Sequence, residues 1–239
     1  VITFSDHFRM TTLDTAKWST FHHAWDVRHI PQIGHKHLWV ERGHNGLQYD
    51  THRVDRGVLR LTADISPSPR RTQGQKYISG MISTEQSCNQ LYGTYSMRMR
   101  CPEGQGLWSA VWMVPSDGGD HIPEIDILEV LGHEPTTVYQ YSTVDAQGTP
   151  PVILSGGQVH NWLIDASDDF HDYQLIWGRD TTTWKIDGAT TQVVQTFAHE
   201  MHYLILSLSV GGDWPGDPDI TTPFPSSLDI DYVIIEDTY

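Results

Sequence analysis

His121-Ile122-Pro123-Glu124-Ile125-Asp126-Ile127-Leu128-Glu129-Val130 is the stretch that decides the reading of this chain. Aliphatic and acidic residues alternate, as in a β-strand with one face on a core: Ile125 and Ile127 point one way, Glu124 and Asp126 the other. Strict alternation would send Glu129 to the core face, where an unpaired carboxylate costs roughly several kcal/mol. One extra residue, a β-bulge near Ile127-Leu128, turns Glu129 back to the face of Glu124 and Asp126. Three carboxylates then stand in a row above aliphatic side chains, and like charges raise each other's pKa. The row is either a solvated acidic edge or a working set of acids, and the interleaving with Ile and Leu favours the second. One ionised carboxylate as nucleophile and one protonated carboxyl as general acid, about 5–5.5 Å apart, is the arrangement required for double displacement at an anomeric carbon.

Outward from this stretch the chain reads as short strands. Leu107 to Val114 is apolar on both faces, with Trp108, Ala110 and Trp112 on one side and Leu107, Val111 and Met113 on the other. Such a strand is either sandwiched or keeps its aromatic face for a ligand, and the small Ala110 between two tryptophans leaves room for a flat one. A hairpin is predicted over 54–63, and further strands at 77–84, 92–100, 138–143, 152–154, 170–177, 203–210 and 228–236, with 182–188 ending in a hairpin turn at Asp187-Gly188. A short turn capped by Asp14 or Thr15 precedes Trp18. Residues 21–37 read as a long loop or weak strand bordering a cleft. The loop Gly211-Gly212-Asp213-Trp214-Pro215-Gly216 presents Trp214. Many antiparallel strands and almost no helix predict an all-β, two-sheet sandwich with a concave groove lined by Trp and carboxylates, suited to an extended polymer. Aromatic faces stack on the apolar faces of sugar rings.

With 239 residues and no linker or repeat, the chain is expected to be one catalytic domain over 1–239. A net charge of -15 argues against nucleic acid or an anionic membrane as partner. No apolar run is long enough to span a bilayer. Cys88 and Cys101 fall at the two ends of a predicted strand, roughly 30 Å apart, too far for a disulfide. The 14 histidines contain no His-Glu-x-x-His stretch. His22-His23 and His35-x-His37 have zinc-ligand spacing, but are better read as surface or supporting residues.

Glu124-Ile125-Asp126-Ile127-Leu128-Glu129 resembles the bulged Glu-x-Asp-x-x-Glu motif of glycoside hydrolase family 16, the laminarinase-like β-glucanases. The resemblance extends along the chain through Leu13-Asp14-Thr15-Ala16-Lys17-Trp18, Asn45, Gln48 and Tyr49, 57–63, Ser79-Gly80, 104–113, 210–216 and Ile230-Asp231-Tyr232-Val233. It implies a β-jelly-roll and a retaining endo-hydrolase of β-1,3 or mixed β-1,3/1,4 glucan, with no cofactor for catalysis. By position, Glu124 is the nucleophile, Glu129 the acid/base, and Asp126 tunes the pair. Asn45, Trp108, Trp112 and Trp214 would line the sugar subsites, and Tyr139 and Gln140 would contact sugar from the next strand. A structural calcium would sit near Asp6, the Gly57 carbonyl and Asp231. A polysaccharide substrate, a monomer and secretion are implied as well. The chain departs from the family pattern at Met81, Pro123, Ser207 and 139–143. That keeps open the same chemistry on an exopolysaccharide or galactan, and transglycosylation. The alternative of a different class is a carbohydrate-binding protein without turnover.

Overall fold

The computed structural model describes residues 1–22, 28–117, 121–146, 152–161 and 164–237. His23, half of the His22-His23 pair, lies outside them. Sixteen strands are described: β1 (Ile2–Asp6), β2 (His37–Trp39), β3 (His52–Asp55), β4 (Val58–Ile65), β5 (Tyr77–Ser79), β6 (Met81–Ser83), β7 (Gly93–Arg100), β8 (Leu107–Pro115), β9 (Glu124–Leu131), β10 (Thr137–Ala146), β11 (Val152–Asn161), β12 (His171–Trp177), β13 (Thr181–Ile186), β14 (Ala189–Gln195), β15 (His202–Val210) and β16 (Ser226–Glu236). Ten form one sheet in the order β14-β13-β12-β7-β16-β4-β5-β2, with β1 on β16 and β3 on β4. The other six form a second sheet, β11-β10-β9-β8-β15-β6. Every pairing is antiparallel except β2 with β5 at the edge of the larger sheet. This is the expected β-jelly-roll sandwich.

Alternation builds the core between the sheets. Leu107, Val111 and Met113 of β8, Ile125, Ile127, Leu128 and Val130 of β9, and Leu204, Leu206 and Leu208 of β15 face inward. They meet Leu59 and Leu61 of β4, Met97 and Met99 of β7, Tyr173, Leu175 and Trp177 of β12, and Val233 and Ile235 of β16. Each such side chain contributes about 1.5–3 kcal/mol by leaving water.

Turn chemistry sets the registers. At Arg56-Gly57 and Asp187-Gly188 both central residues have positive φ, the two-residue hairpin that matches strand twist. Residues 77–84, read as one strand, are two. The chain leaves the larger sheet after Ser79 and enters the smaller one at Met81. Gly80 makes this switch possible, because a Cβ there would lie 2.7 Å from the Thr51 carbonyl. The turn before Trp18 is present: Asp14 Oδ1 accepts the Ala16 N–H at 3.0 Å. Cys88 and Cys101 are free thiols.

Candidate active site

β9 runs between β8 and β10 in the smaller sheet, and the bulge lies where alternation demanded it. Against β8, Val111 faces Leu128 while its neighbour Trp112 faces Asp126, so Ile127 is the extra residue. Against β10, the three residues from Tyr139 to Tyr141 span the four from Glu129 to Asp126. Carbonyls at a bulge lose their regular ladder partners, and here side chains supply them. Gln140 Nε2 donates to the Ile127 carbonyl at 3.1 Å, and Trp184 Nε1 to the Asp126 carbonyl at 2.9 Å. Ile125, Ile127, Leu128 and Val130 are thereby all buried while Glu124, Asp126 and Glu129 share the opposite face.

That face opens on a groove of about 690 Å³. Trp108, Ala110 and Trp112 of β8, the three acids of β9, and Ser207 and Ser209 of β15 form its floor. Ile30, Gln32, Ile33, His35 and Trp39 wall one side, and Trp214, 41% exposed, leans over from its loop. Trp108 Nε1 donates to Glu129 Oε1 at 3.0 Å, and Trp112 Nε1 to Ser207 Oγ at 3.4 Å. Trp214 stands edge-on to Trp108 with ring centres 5.3 Å apart, and Tyr139 edge-on to Trp214 at 4.7 Å. The structure thus brings Glu124, Asp126, Glu129, Trp108, Trp112 and Trp214 into one site, with Tyr139 at its margin.

Electrostatics set the protonation. Burial raises all three carboxyls, because the charged form loses water. Each also feels a neighbouring acid: Glu124 the charge of Asp126, Asp126 that of Glu129, and Glu129 that of Glu124. Glu129 is pushed up to about 8, although the Trp108 N–H pulls it down. Glu124 and Asp126 are joined by a hydrogen bond and share a proton at pH values where isolated carboxyls have lost theirs.

Two expected site residues, Gln140 and Asn45, lie elsewhere or are otherwise engaged. Gln140 does not reach sugar: it is 0% exposed, and besides the Ile127 carbonyl it accepts from Thr191 Oγ1 at 2.6 Å. Alternation on β10 sends it inward and leaves the outer face to Tyr139 and Tyr141. Asn45 is exposed in the 44–46 turn, outside the groove lining, and its Nδ2 donates to the Arg71 carbonyl at 3.1 Å. Met81 is buried against Trp39, Val114, Tyr203 and Ile205, whereas Ser207 does line the groove.

The side chains of the expected calcium set are engaged in other contacts. Asp6 accepts the Phe8 N–H at 2.8 Å on Oδ1 and the Trp18 indole N–H at 2.9 Å on Oδ2, which makes it an anchor of the first turn. Asp231 faces the Arg98 guanidinium at 3.8 Å, and Gly57 serves the β3–β4 turn. Hard cations need oxygens that face inward together. Among the described residues no three His, Cys, Asp or Glu side chains gather as a metal site. His22, His35 and His37 are buried around Trp39, with ring centres 5.4, 5.5 and 4.9 Å from it. Burial holds all three imidazoles far below their usual pKa, with His22 and His35 each at about 3. They pack as neutral wall residues. The wall itself was missed beyond its being a loop beside a cleft: no spacing rule shows that 30–39 would dock on β15, where the Lys36 N–H and Trp39 Nε1 donate to the Val210 and Leu208 carbonyls.

Residues 40–233 match the family model described as glycosyl hydrolases family 16. Endo-1,3-1,4-beta-glycanase EglC of Rhizobium meliloti (strain 1021) is 32% identical over 184 residues, 75% of this chain and 38% of that protein. Glucan endo-1,3-beta-glucosidase A1 of Niallia circulans is 30% identical over 260 residues, 96% of this chain and 37% of that protein. The chain therefore spans well under half the length of these curated relatives. Among solved structures, the catalytic domain of an endo-1,3-beta-glucanase (laminarinase) from Thermotoga petrophila RKU-1 superposes with a TM-score of 0.80 at 27% identity, covering 100% of this chain and 98% of that one.

Proposed function

The chain belongs to glycosyl hydrolase family 16, and from that membership and its site we propose that it is a retaining endo-glycosidase cleaving internal β-1,3 or mixed β-1,3/1,4 linkages of a glucan. The observation that carries this is the row of Glu124, Asp126 and Glu129 on one face of a bulged strand, opening on an aromatic groove, with Glu129 protonated at neutral pH. The Glu124 carboxylate attacks the anomeric carbon while Glu129 gives its proton to the departing glycosidic oxygen. At rest the hydrogen bond between Glu124 and Asp126 raises Glu124 and lowers Asp126, so the shared proton must pass to Asp126 before Glu124 can attack. Glu129, now ionised, takes a proton from water, and the resulting hydroxide releases the sugar from Glu124. The Trp108 N–H steadies the charge that Glu129 bears between the two steps.

The groove suits a neutral polymer. Among the described residues its lining holds three acids and no Lys or Arg, so an acidic polysaccharide would meet no counter-charge there. A polymer of this kind does not cross a bilayer, which supports action outside the cell. One catalytic unit, with no metal in the chemistry, suffices for these steps.

The test is reducing-end release from laminarin, lichenan, curdlan, agarose, xyloglucan and several bacterial exopolysaccharides, with Glu124→Gln beside the wild type. Turnover of a neutral glucan that vanishes in the variant is the expected result. Binding of a polymer by both proteins with turnover by neither would overturn the proposal in favour of a lectin.

A further inference from the structure

The walled half of the groove ends at the acids. Among the described residues its lining comes from β8, β9, β15, residues 30–39, His121 and Trp214, with nothing from β10. Yet β10 is the other neighbour of the catalytic strand, and it carries a second aromatic surface. Tyr139 pairs across from Glu129 and Tyr141 across from Asp126, so both side chains rise on the face of the acids. Their rings are near-parallel, 22° apart, with centres 6.4 Å from each other. Tyr139 is fixed at both ends: its hydroxyl donates to Glu134, and its ring meets Trp214. Tyr141 is half-buried, held in place by its strand and the Tyr139 ring.

We propose that Tyr141, backed by Tyr139, is a second sugar platform, binding the polymer on the side of the scissile bond opposite the tryptophan-walled half. The inference rests on the glycosidase reading above and adds a specificity-determining residue to it. An endo-acting site must hold sugar on both sides of the bond it cuts. A chain laid across β8, β9 and β10 meets Trp108 and Trp112, then the acids, then the two tyrosines. The Tyr141 ring offers an apolar face to a pyranose. Its hydroxyl, which burial holds further still from ionising, offers a donor to a sugar oxygen. Trp214 touches both Trp108 and Tyr139 and bridges the two halves.

The experiment compares wild type, Tyr141→Ala and Tyr141→Phe on β-1,3 and mixed-linkage gluco-oligosaccharides of increasing length, with laminarin and lichenan as the longest substrates. For the wild type, kcat/KM should climb as the chain grows onto β10. Tyr141→Ala should flatten that climb, losing about tenfold on the polymers, the worth of one ring–sugar contact. Tyr141→Phe keeps the ring and should recover most of the loss. A length dependence in Tyr141→Ala equal to that of the wild type would overturn the inference while the glycosidase reading stands. So would an equal loss at every length with a lowered Tm, the mark of a structural role. No turnover by the wild type on any substrate would overturn both.

Discussion

The two sheets carry comparable rows of acids on their outer faces and treat them in opposite ways. On the larger sheet, Asp229 lies 2.8 Å from Arg100 and 3.6 Å from Arg60, Asp172 lies 3.0 Å from Arg98, and Asp231 lies 3.8 Å from Arg98. Tyr232 and Ser227 add hydroxyl donors to Asp172 and Asp229. On the smaller sheet, Glu124, Asp126 and Glu129 face one another, and no Lys or Arg among the described residues lines their groove. An acid with a matched cation is part of the scaffold. Acids that confront each other without one hold protons at neutral pH, and a protonated carboxyl beside an ionised one is what acid catalysis of glycoside cleavage requires.

The largest effect that sharpens this contrast is on turnover. Glu124→Gln should lower kcat by more than about 10³-fold in a reducing-end assay, because no neighbouring group replaces the nucleophile. A substitution in the arginine-matched row, Asp172→Asn, should leave kcat within about twofold. Next comes pH. The general acid must be protonated, and Glu129 titrates at about 8, so kcat/KM should fall on the alkaline side with a midpoint near that value. A wild-type profile still rising well above pH 8 would break the comparison.

Stability should separate the rows by sign. Glu129 has its folded pKa raised from 4.5 to about 8, so the folded state keeps a proton that the unfolded chain sheds. Its contribution is fully present below about pH 4.5 and is lost as pH rises toward 8. At pH 8 Glu129→Gln should therefore be more stable than the wild type by about 3–4 kcal/mol, a gain bought with activity. Asp229→Asn should instead be less stable by about 1–3 kcal/mol, because Arg60 and Arg100 lose their shared partner. Denaturant midpoints of the two variants should move in opposite directions. Gln140→Leu leaves the Ile127 carbonyl and the Thr191 hydroxyl unpaired and should cost about 1–3 kcal/mol. The smallest effect is that of Trp108→Phe. Removing an N–H that holds the Glu129 pKa down should shift the alkaline limb upward, at modest cost in rate.

What could be read from the residues follows the same division. The bulge was legible because only one extra residue near Ile127 keeps Glu129 out of the core. The aromatic face of β8 was legible because Trp108, Ala110 and Trp112 alternate with Leu107, Val111 and Met113. Gln140 was misplaced although the same rule applied to it: alternation with Tyr139 and Tyr141 puts one kind on each face, and the buried amide is needed at the bulge. The sheet switch at Gly80 and the wall of His35 and Trp39 were not legible. Both depend on segments far apart in the chain, Thr51 beneath Gly80 and 30–39 against β15, and local period carries no record of such contacts. Asn45 and the Asp6, Gly57 and Asp231 set came from resemblance alone, and this chain uses those positions to hold turns and ion pairs.

The most direct measurement is the anomeric configuration of newly formed reducing ends, followed by proton NMR while laminarin is cleaved. Double displacement through Glu124 predicts that the β-anomer appears first and mutarotates to the equilibrium mixture afterward. Initial appearance of the α-anomer would show a single displacement by water and contradict the roles assigned to Glu124 and Glu129.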